Sequence, residues 1–220
     1  MYKIVDVEKW NRRVPYRNFI GYTDPIFSLG ARLDVTELFA SSKRRHTSFF
    51  SDFAFLISKC LNAVEELRLR IVDGKVVMYD RIDPNYIVMT DGGVICPCRT
   101  RMTDGYPEFY AQSRADIDRV RRNGGGGVFN CGDNGVFYMS CLKWLDFTSI
   151  SNPYDHADAD GSSIPRVTWG KAVAEGDRVK MSFDIAAHHA LVDGEPVCRG
   201  INMIADALMQ ADEFLGVKNK

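Results

Sequence analysis

The stretch from Val179 to Gly194 does most to limit what this chain can fold into. Val179, Met181, Phe183, Ile185 and Ala187 share one parity, and Lys180, Ser182 and Asp184 the other. This is the period-two pattern of a strand with one face against a core. The same parity places His189 on the apolar face and His188 on the opposite one, so that His189 is expected to point inward. Asp193-Gly194 then turns the chain, and Val197, Ile201, Ile204, Ala205 and Leu208 follow at helical spacing. The segment His188-His189-Ala190-Leu191-Val192-Asp193-Gly194 therefore joins a strand end to a helix start. A neutral imidazole held there beside a carboxylate suits general-base chemistry at neutral pH. On spacing alone, a core histidine before an ordinary turn fits equally well.

With 220 residues, 45% of them hydrophobic, the chain can bury a full core as a single domain spanning 1–220. Its 28 basic and 29 acidic residues leave a net charge of −1, a field that favours neither nucleic acid nor an anionic membrane and points to a small-molecule partner. There is no long apolar run for a membrane span. Met1-Tyr2-Lys3 leads into mixed, charged sequence and not into a signal-peptide core, so a cytoplasmic location is expected. Six cysteines, at 60, 96, 98, 131, 141 and 198, lack CxxC spacing and read as reduced thiols. Cys96-Pro97-Cys98 reads as two strand cysteines flanking a proline, because no matching His or Cys pair lies nearby in sequence. No metal is expected.

In chain order, Tyr2–Val7 is read as a short strand, and Trp10–Arg13 as a polar helix-like stretch interrupted by Pro15. Phe27–Asp34 alternates as a strand, after which Asp34 or Thr36 caps a helix carrying Leu38 and Phe39. Ser48–Leu67 is the strongest helix, with Phe49, Phe53, Leu56, Ile57, Cys60, Leu61 and Val64 along one face. Asp73-Gly74 marks a hairpin turn within Arg68–Asp80. Tyr86–Met89 and Val94–Cys98 read as strands, Pro107–Arg122 as a helix, and the four glycines after Asn123 as a connector and not a phosphate-binding loop. Val136–Leu145 is strand-like, Asn152–Ser163 irregular, and Val167–Lys171 a strand joined through the Glu175–Arg178 turn to the His189 strand.

Four separated motifs then converge. HHALVDG resembles the HHxxxDG signature of the chloramphenicol acetyltransferases, which dihydrolipoyl acyltransferase cores share in variant form. Trp10-Asn11-Arg12 resembles that family's W-x-R, and Trp144, Phe147 and Ser149 its W-x-x-F-x-S. Thr168 lies 21 residues before His189, as the corresponding threonine does in the family. The likeness runs in consistent order from Val7 to Leu208. It implies a two-layer α/β sandwich, a mixed sheet covered by helices, and a homotrimer with active sites between subunits. His189 would come from one subunit and much of the acceptor pocket from its neighbour.

What the resemblance implies for chemistry is acetyl-CoA-dependent O-acetyl transfer, with chloramphenicol as the best single acceptor. His189 would be the general base, and Ser149 and Thr168 would stabilise the tetrahedral intermediate. Arg12 and Asp193 would form a structural ion pair, Lys171 would lie near the adenosine phosphate of coenzyme A, and Phe19 and Phe27 would line the substrate pocket. Departures from the family pattern fall where the acceptor would sit: Thr90–Cys96, Thr23-Asp24-Pro25 and the Asp-rich Asn152–Ser163. A different hydroxyl or amine acceptor is therefore the alternative. So is a catalytically idle, ligand-binding trimer, which the retained Arg12, Ser149, Thr168, His189 and Asp193 disfavour. A dihydrolipoyl acyltransferase core normally travels with lipoyl and subunit-binding domains on flexible linkers, for which this sequence shows no pattern.

Overall fold

A computed structural model describes residues 1–123 and 133–217. The glycine run and Cys131 lie outside the described residues. The expected two-layer α/β arrangement with a mixed sheet is present. The sheet is assembled from β2 (Ile26–Asp34), β5 (Asp83–Met89), β6 (Ile95–Arg99), β7 (Val136–Cys141), β8 (Arg166–Trp169), β9 (Val173–Glu175) and β10 (Arg178–His188). Its order is β2-β10-β8-β7-β5-β6, with β9 also pairing with β10. β7 runs parallel to β5 and β8, and the remaining pairs are antiparallel. β1 (Tyr2–Ile4), β3 (Leu69–Val72) and β4 (Lys75–Tyr79) make a separate small sheet. Its hairpin turns through Asp73 and Gly74, both at positive φ (50° and 71°), the geometry that an Asp-Gly pair supplies at least cost.

β10 organises the sheet. Nine of its residues pair with β2, from Lys180 opposite Asp34 to His188 opposite Ile26. Met181, Phe183, Ile185 and Ala187 join Leu33, Val167, Trp169, Phe137 and Tyr86 in one buried apolar cluster. Helices α2 (Thr36–Arg45), α3 (Phe49–Asn62), α4 (Tyr106–Asn123) and α6 (Gly194–Met209) cover this face, and a single turn, α5 (Ala159–Ser162), precedes β8. α3 is buried almost all round, so its apolar face is wider than the periodicity indicated. It stops earlier than expected, because the Asn62 amide clamps Ile82 in both directions, accepting at 2.7 Å and donating at 2.9 Å. The buried Asp52 carboxylate ties three helices together, accepting from Ser42 (2.6 Å), Thr47 (2.6 Å), Arg45 (2.8 Å) and Tyr106 (2.7 Å).

Two other expectations are corrected. α1 (Arg13–Phe19) runs through Pro15, because a proline in the first turn gives up an N–H that has no helical partner there. The strand after Val136 ends at Cys141, well before Leu145, where the Leu142 N–H turns to Trp169 O at 2.8 Å. Cys96 and Cys98 both face the core from β6, while Pro97 points to the other face on what is the sheet's edge strand, where a missing N–H is tolerated. The cysteines within the described residues are free thiols.

Candidate active site

Strand parity stops governing the two histidines at His188. That residue is the last to pair with β2, and it is 4% exposed on the face turned away from the helices. Its Nδ1 accepts the Ala190 N–H at 3.2 Å, and burial holds its pKa down at about 4, so it stays neutral. Beyond it the chain turns, with the Leu191 and Val192 N–H groups both donating to His188 O. His189 therefore steps off the sheet instead of pointing into the core. Its N–H donates to Pro25 O at 2.8 Å, and its half-buried ring stacks on Phe19 with centroids 4.0 Å apart and planes at 16°. Phe27 closes the other side at 4.7 Å.

Asp193 occupies the N-cap position of α6, where a carboxylate ordinarily accepts from the first helical N–H groups. Here its side chain makes no such bond. Arg12 takes it instead in a two-pronged contact, Nη1 donating to Oδ2 and Nη2 donating to Oδ1 at 3.1 Å. The same Nη2 donates to the carbonyl oxygen of His189 at 3.0 Å. One guanidinium thus fixes both the turn and the backbone that carries the imidazole. His189 Nδ1 lies 3.3 Å from Asp193 Oδ1, but the pair is not aligned for a hydrogen bond. The Arg12 side chain is 11% exposed and that of Asp193 is 44% exposed, so the pair is only half sheltered.

Thr168 stands elsewhere. It is 1% exposed, its hydroxyl has no protein partner, and it lines a cavity of about 330 Å³ with Asn85, Ile87, Pro97, Tyr138 and Arg166. It pairs with Asp184 of β10, five residues before His189. At about 3.3 Å per residue the two lie roughly 16 Å apart along one chain. Ser149 is exposed in the segment beyond β7. Lys171, also exposed, borders a smaller cavity of about 160 Å³ beside Phe50, Lys143 and Trp169. Gly170 makes room there: a Cβ would come within 2.8 Å of Leu145 O and closer still to the Ser182 hydroxyl. The structure therefore gathers Arg12, Phe19, Phe27, His189 and Asp193 at one end of β10. Thr168, Ser149 and Lys171 are not brought to them.

Sequence reasoning missed most of the cavity. Arg166 was within reach, being two residues before Thr168 and so on the same side of the strand, as were Asn85 and Tyr138 by the register of β5 and β7. Asn152 and Pro153, which border the same cavity, come from an irregular segment that carries no periodic signal. Among the described residues, no cluster of three or more His, Cys, Asp or Glu is placed to hold a metal. Nor is any helix long and apolar enough to cross a membrane.

A mixed sheet with helices over one face is the fold of solved acetyltransferases, and here it carries a histidine locked at a strand end by an Arg–Asp pair. The solved catalytic core of the 2-oxoacid dehydrogenase complex from Thermoplasma acidophilum shares the fold alone, at TM-score 0.67 and 15% identity over 96% of this chain and 99% of that one. A solved chloramphenicol acetyltransferase superposes at TM-score 0.87 with 26% identity, covering 94% of this chain and all of its own. The chloramphenicol acetyltransferase of Proteus mirabilis is 26% identical over 211 residues, 91% of this chain and 92% of the relative. The family model for chloramphenicol acetyltransferase matches residues 1–205, and the chain belongs to that family of acyltransferases.

Proposed function

We propose that the protein moves an acetyl group from acetyl-CoA to an acceptor hydroxyl, with chloramphenicol as the first acceptor to try and antibiotic inactivation as the role. The observation that carries this reading is the Arg12 lock, which binds Asp193 and the His189 carbonyl together and so aims one imidazole from a rigid strand end. His189 Nδ1 is buried against Asp193, which leaves Nε2 to take the proton. It removes the acceptor's hydroxyl proton as that oxygen attacks the thioester carbonyl. Negative charge builds on the former carbonyl oxygen, and Ser149, with Thr168 acting through a water, stabilises it. Collapse expels the CoA thiolate, which recovers the proton from His189. No acyl-enzyme forms.

The roughly 16 Å between Thr168 and His189 supports a site made between identical copies, because one chain cannot bring both groups to the same atom. A cyclic homotrimer, with His189 from one subunit and the Thr168 cavity from its neighbour, meets that need. Lys171 then serves the adenosine phosphate of coenzyme A, and Phe19 and Phe27 flank the imidazole at the pocket wall. The test is thiol release from acetyl-CoA in the presence of chloramphenicol. His189→Ala is expected to lose about 10²–10⁴-fold in turnover with the fold intact. His188→Ala, which cuts into a buried and neutral imidazole, should mainly lower stability. Equal loss of turnover in two well-folded variants would refute the assignment of His189.

A further inference from the structure

Arg166 is the one charged residue among those lining the 330 Å³ cavity. The other sheltered arginines are all neutralised or saturated. Arg12 has Asp193, Arg45 has Asp52, and Arg99 has both Asp83 and Asp133. The fully buried Arg70 donates to four carbonyl oxygens, those of Leu67, Leu69, Asn134 and Val136, at 2.6–2.9 Å. Among the described residues no carboxylate pairs with Arg166, and its Nε has no partner. Its guanidinium instead lies over an aromatic ring, with Cζ 3.7 Å from the Tyr154 centroid and 5.9 Å from that of Tyr138. Ring faces hold a cation in place but leave a guanidinium's in-plane donors open.

Burial pulls the Arg166 pKa below its usual value, so its charge is kept at a cost that no protein anion offsets. Asp184, the nearest acid on this side of the sheet by register, is bonded to Ser28 and does not border the cavity. A planar fork of donors facing a cavity of ligand size, with Asn85 and Asn152 beside it and no acid in its walls, fits the two oxygens of a carboxylate.

We infer that Arg166 selects an acceptor bearing a carboxylate. This rests on the acetyl-transfer reading above and narrows its substrate class. Arg166 and Thr168 stand two residues apart on the same side of β8, a spacing of about 6.6 Å. The acceptor that fits therefore has its carboxylate about 7 Å from the hydroxyl that receives the acetyl group. A neutral acceptor of the same shape leaves the Arg166 donors desolvated and unpaired, which is the source of the discrimination.

The test uses the full chain in its assembled state, with 4-(hydroxymethyl)benzoate and the near-isosteric 4-(hydroxymethyl)benzamide as acceptors and chloramphenicol as the neutral reference. Thiol release from acetyl-CoA gives kcat and KM, and calorimetric titration of the two benzoyl probes without acetyl-CoA gives binding alone. The benzoate is expected to exceed the benzamide about tenfold or more in kcat/KM, as one charge-assisted pairing supplies. Arg166→Met should erase the preference, raising KM for the benzoate and relieving the penalty on the benzamide, so that the two acceptors come within about twofold of each other in kcat/KM. Arg166→Lys, which keeps charge without the fork, should keep part of it.

Equal use of both probes by the wild-type protein, or equal damage to both in an Arg166→Met protein that still sediments as the wild type does, would overturn the inference. If Arg166→Met fails to assemble, the wild-type and Arg166→Lys comparison carries the same two outcomes. Should chloramphenicol and the benzamide be acetylated through His189 with no preference for the benzoate, carboxylate selection falls and acetyl transfer stands. Should nothing be acetylated while the benzoate still binds about tenfold better than the benzamide in an Arg166-dependent way, acetyl transfer falls and the assignment of Arg166 stands.

Discussion

The two faces of the central sheet are both buried, yet they are finished differently. Against the helices, Phe53, Trp169, Phe183 and Tyr86 interlock, and the buried charge of Asp52 on α3 is met by four donors from α2, α4 and the turn between α2 and α3. On the opposite face sit Thr168, Asp184, His188 and Arg166, roofed by Asn152, Pro153 and Tyr154. There the Thr168 hydroxyl, one Asp184 oxygen and the Arg166 Nε have no protein partner. Buried polar atoms without partners are expensive. The helix face is complete within one chain, whereas the other face keeps unpartnered polar atoms. On the function proposed above, the difference separates the part of the molecule that holds it together from the part that meets substrate and neighbouring copies.

The largest effects should come from breaking the helix face. Phe53→Ala is expected to cost about 3–5 kcal/mol through the cavity it leaves. Asp52→Ala is expected to cost a similar 3–5 kcal/mol, because it strands the Arg45 guanidinium beneath Tyr106. Chemical denaturation of the two variants measures both. A loss below about 1 kcal/mol in either would mean that the helix layer is not what carries stability.

Next in size are two titrations of opposite sign on the open face. Burial raises the Asp184 carboxyl to about 6, against the pull of the Ser28 hydroxyl, so the folded state holds a proton that the unfolded chain releases near 3.8. Asp184 therefore contributes on the order of 3 kcal/mol that is present below pH 4 and lost as pH rises toward 6. Burial, with a smaller push from His189, lowers His188 to about 4 against 6.5 unfolded. His188 contributes on the order of 3 kcal/mol that is present above pH 6.5 and lost as pH falls to 4. Between pH 4 and 6 the two nearly cancel. Asp184→Asn should unmask a steady fall in stability on acidification through this window. A flat profile in that variant would show that His188 is not held neutral by burial.

The Arg12–Asp193 pair stands between the two extremes, since Arg12 is well sheltered and Asp193 nearly half exposed. Asp193→Asn and Arg12→Val are each expected to cost about 1–3 kcal/mol together with activity. The double variant should cost less than their sum by roughly 1 kcal/mol, because each single change removes the same contact. Strict additivity, with Asp193→Asn inactive but fully stable, would mean that Asp193 serves the imidazole directly. The smallest effect on stability belongs to Thr168→Val, which is expected to stay within about 1 kcal/mol because the hydroxyl it removes has no partner. Its turnover should fall nonetheless.

The sequence carried the helix face well and the open face poorly, for a physical reason. Apolar periodicity reports burial against a core, so the odd residues of β10, the long helix α3 and the Asp73-Gly74 hairpin were all legible. His188 followed the same parity, but His189 did not, because parity is a property of a paired strand and pairing with β2 stops at His188. Pro15 was misread because its effect depends on its place within a helix, which composition does not give. Asp193 looked like a partner for the imidazole, and its turn toward Arg12 came from resemblance alone. The cavity depends on lateral register among four strands, from Pro97 on β6 through Ile87 and Asn85 on β5 and Tyr138 on β7 to Arg166 and Thr168 on β8. A single sequence shows alternation along a strand but not which strand lies beside it.

The central claim is that His189 of one copy works with the Thr168 cavity of another. The most direct measurement mixes His189→Ala protein with a Ser149→Ala, Thr168→Ala double variant, each inactive alone, refolds them together and isolates the mixed assembly. In a cyclic trimer every mixed assembly contains one junction where an intact His189 meets an intact cavity. Its activity should therefore rise to roughly a third of the wild-type assembly's. Activity no greater than the sum of the two parents would mean that each chain carries its own complete site, and would contradict a site shared between copies.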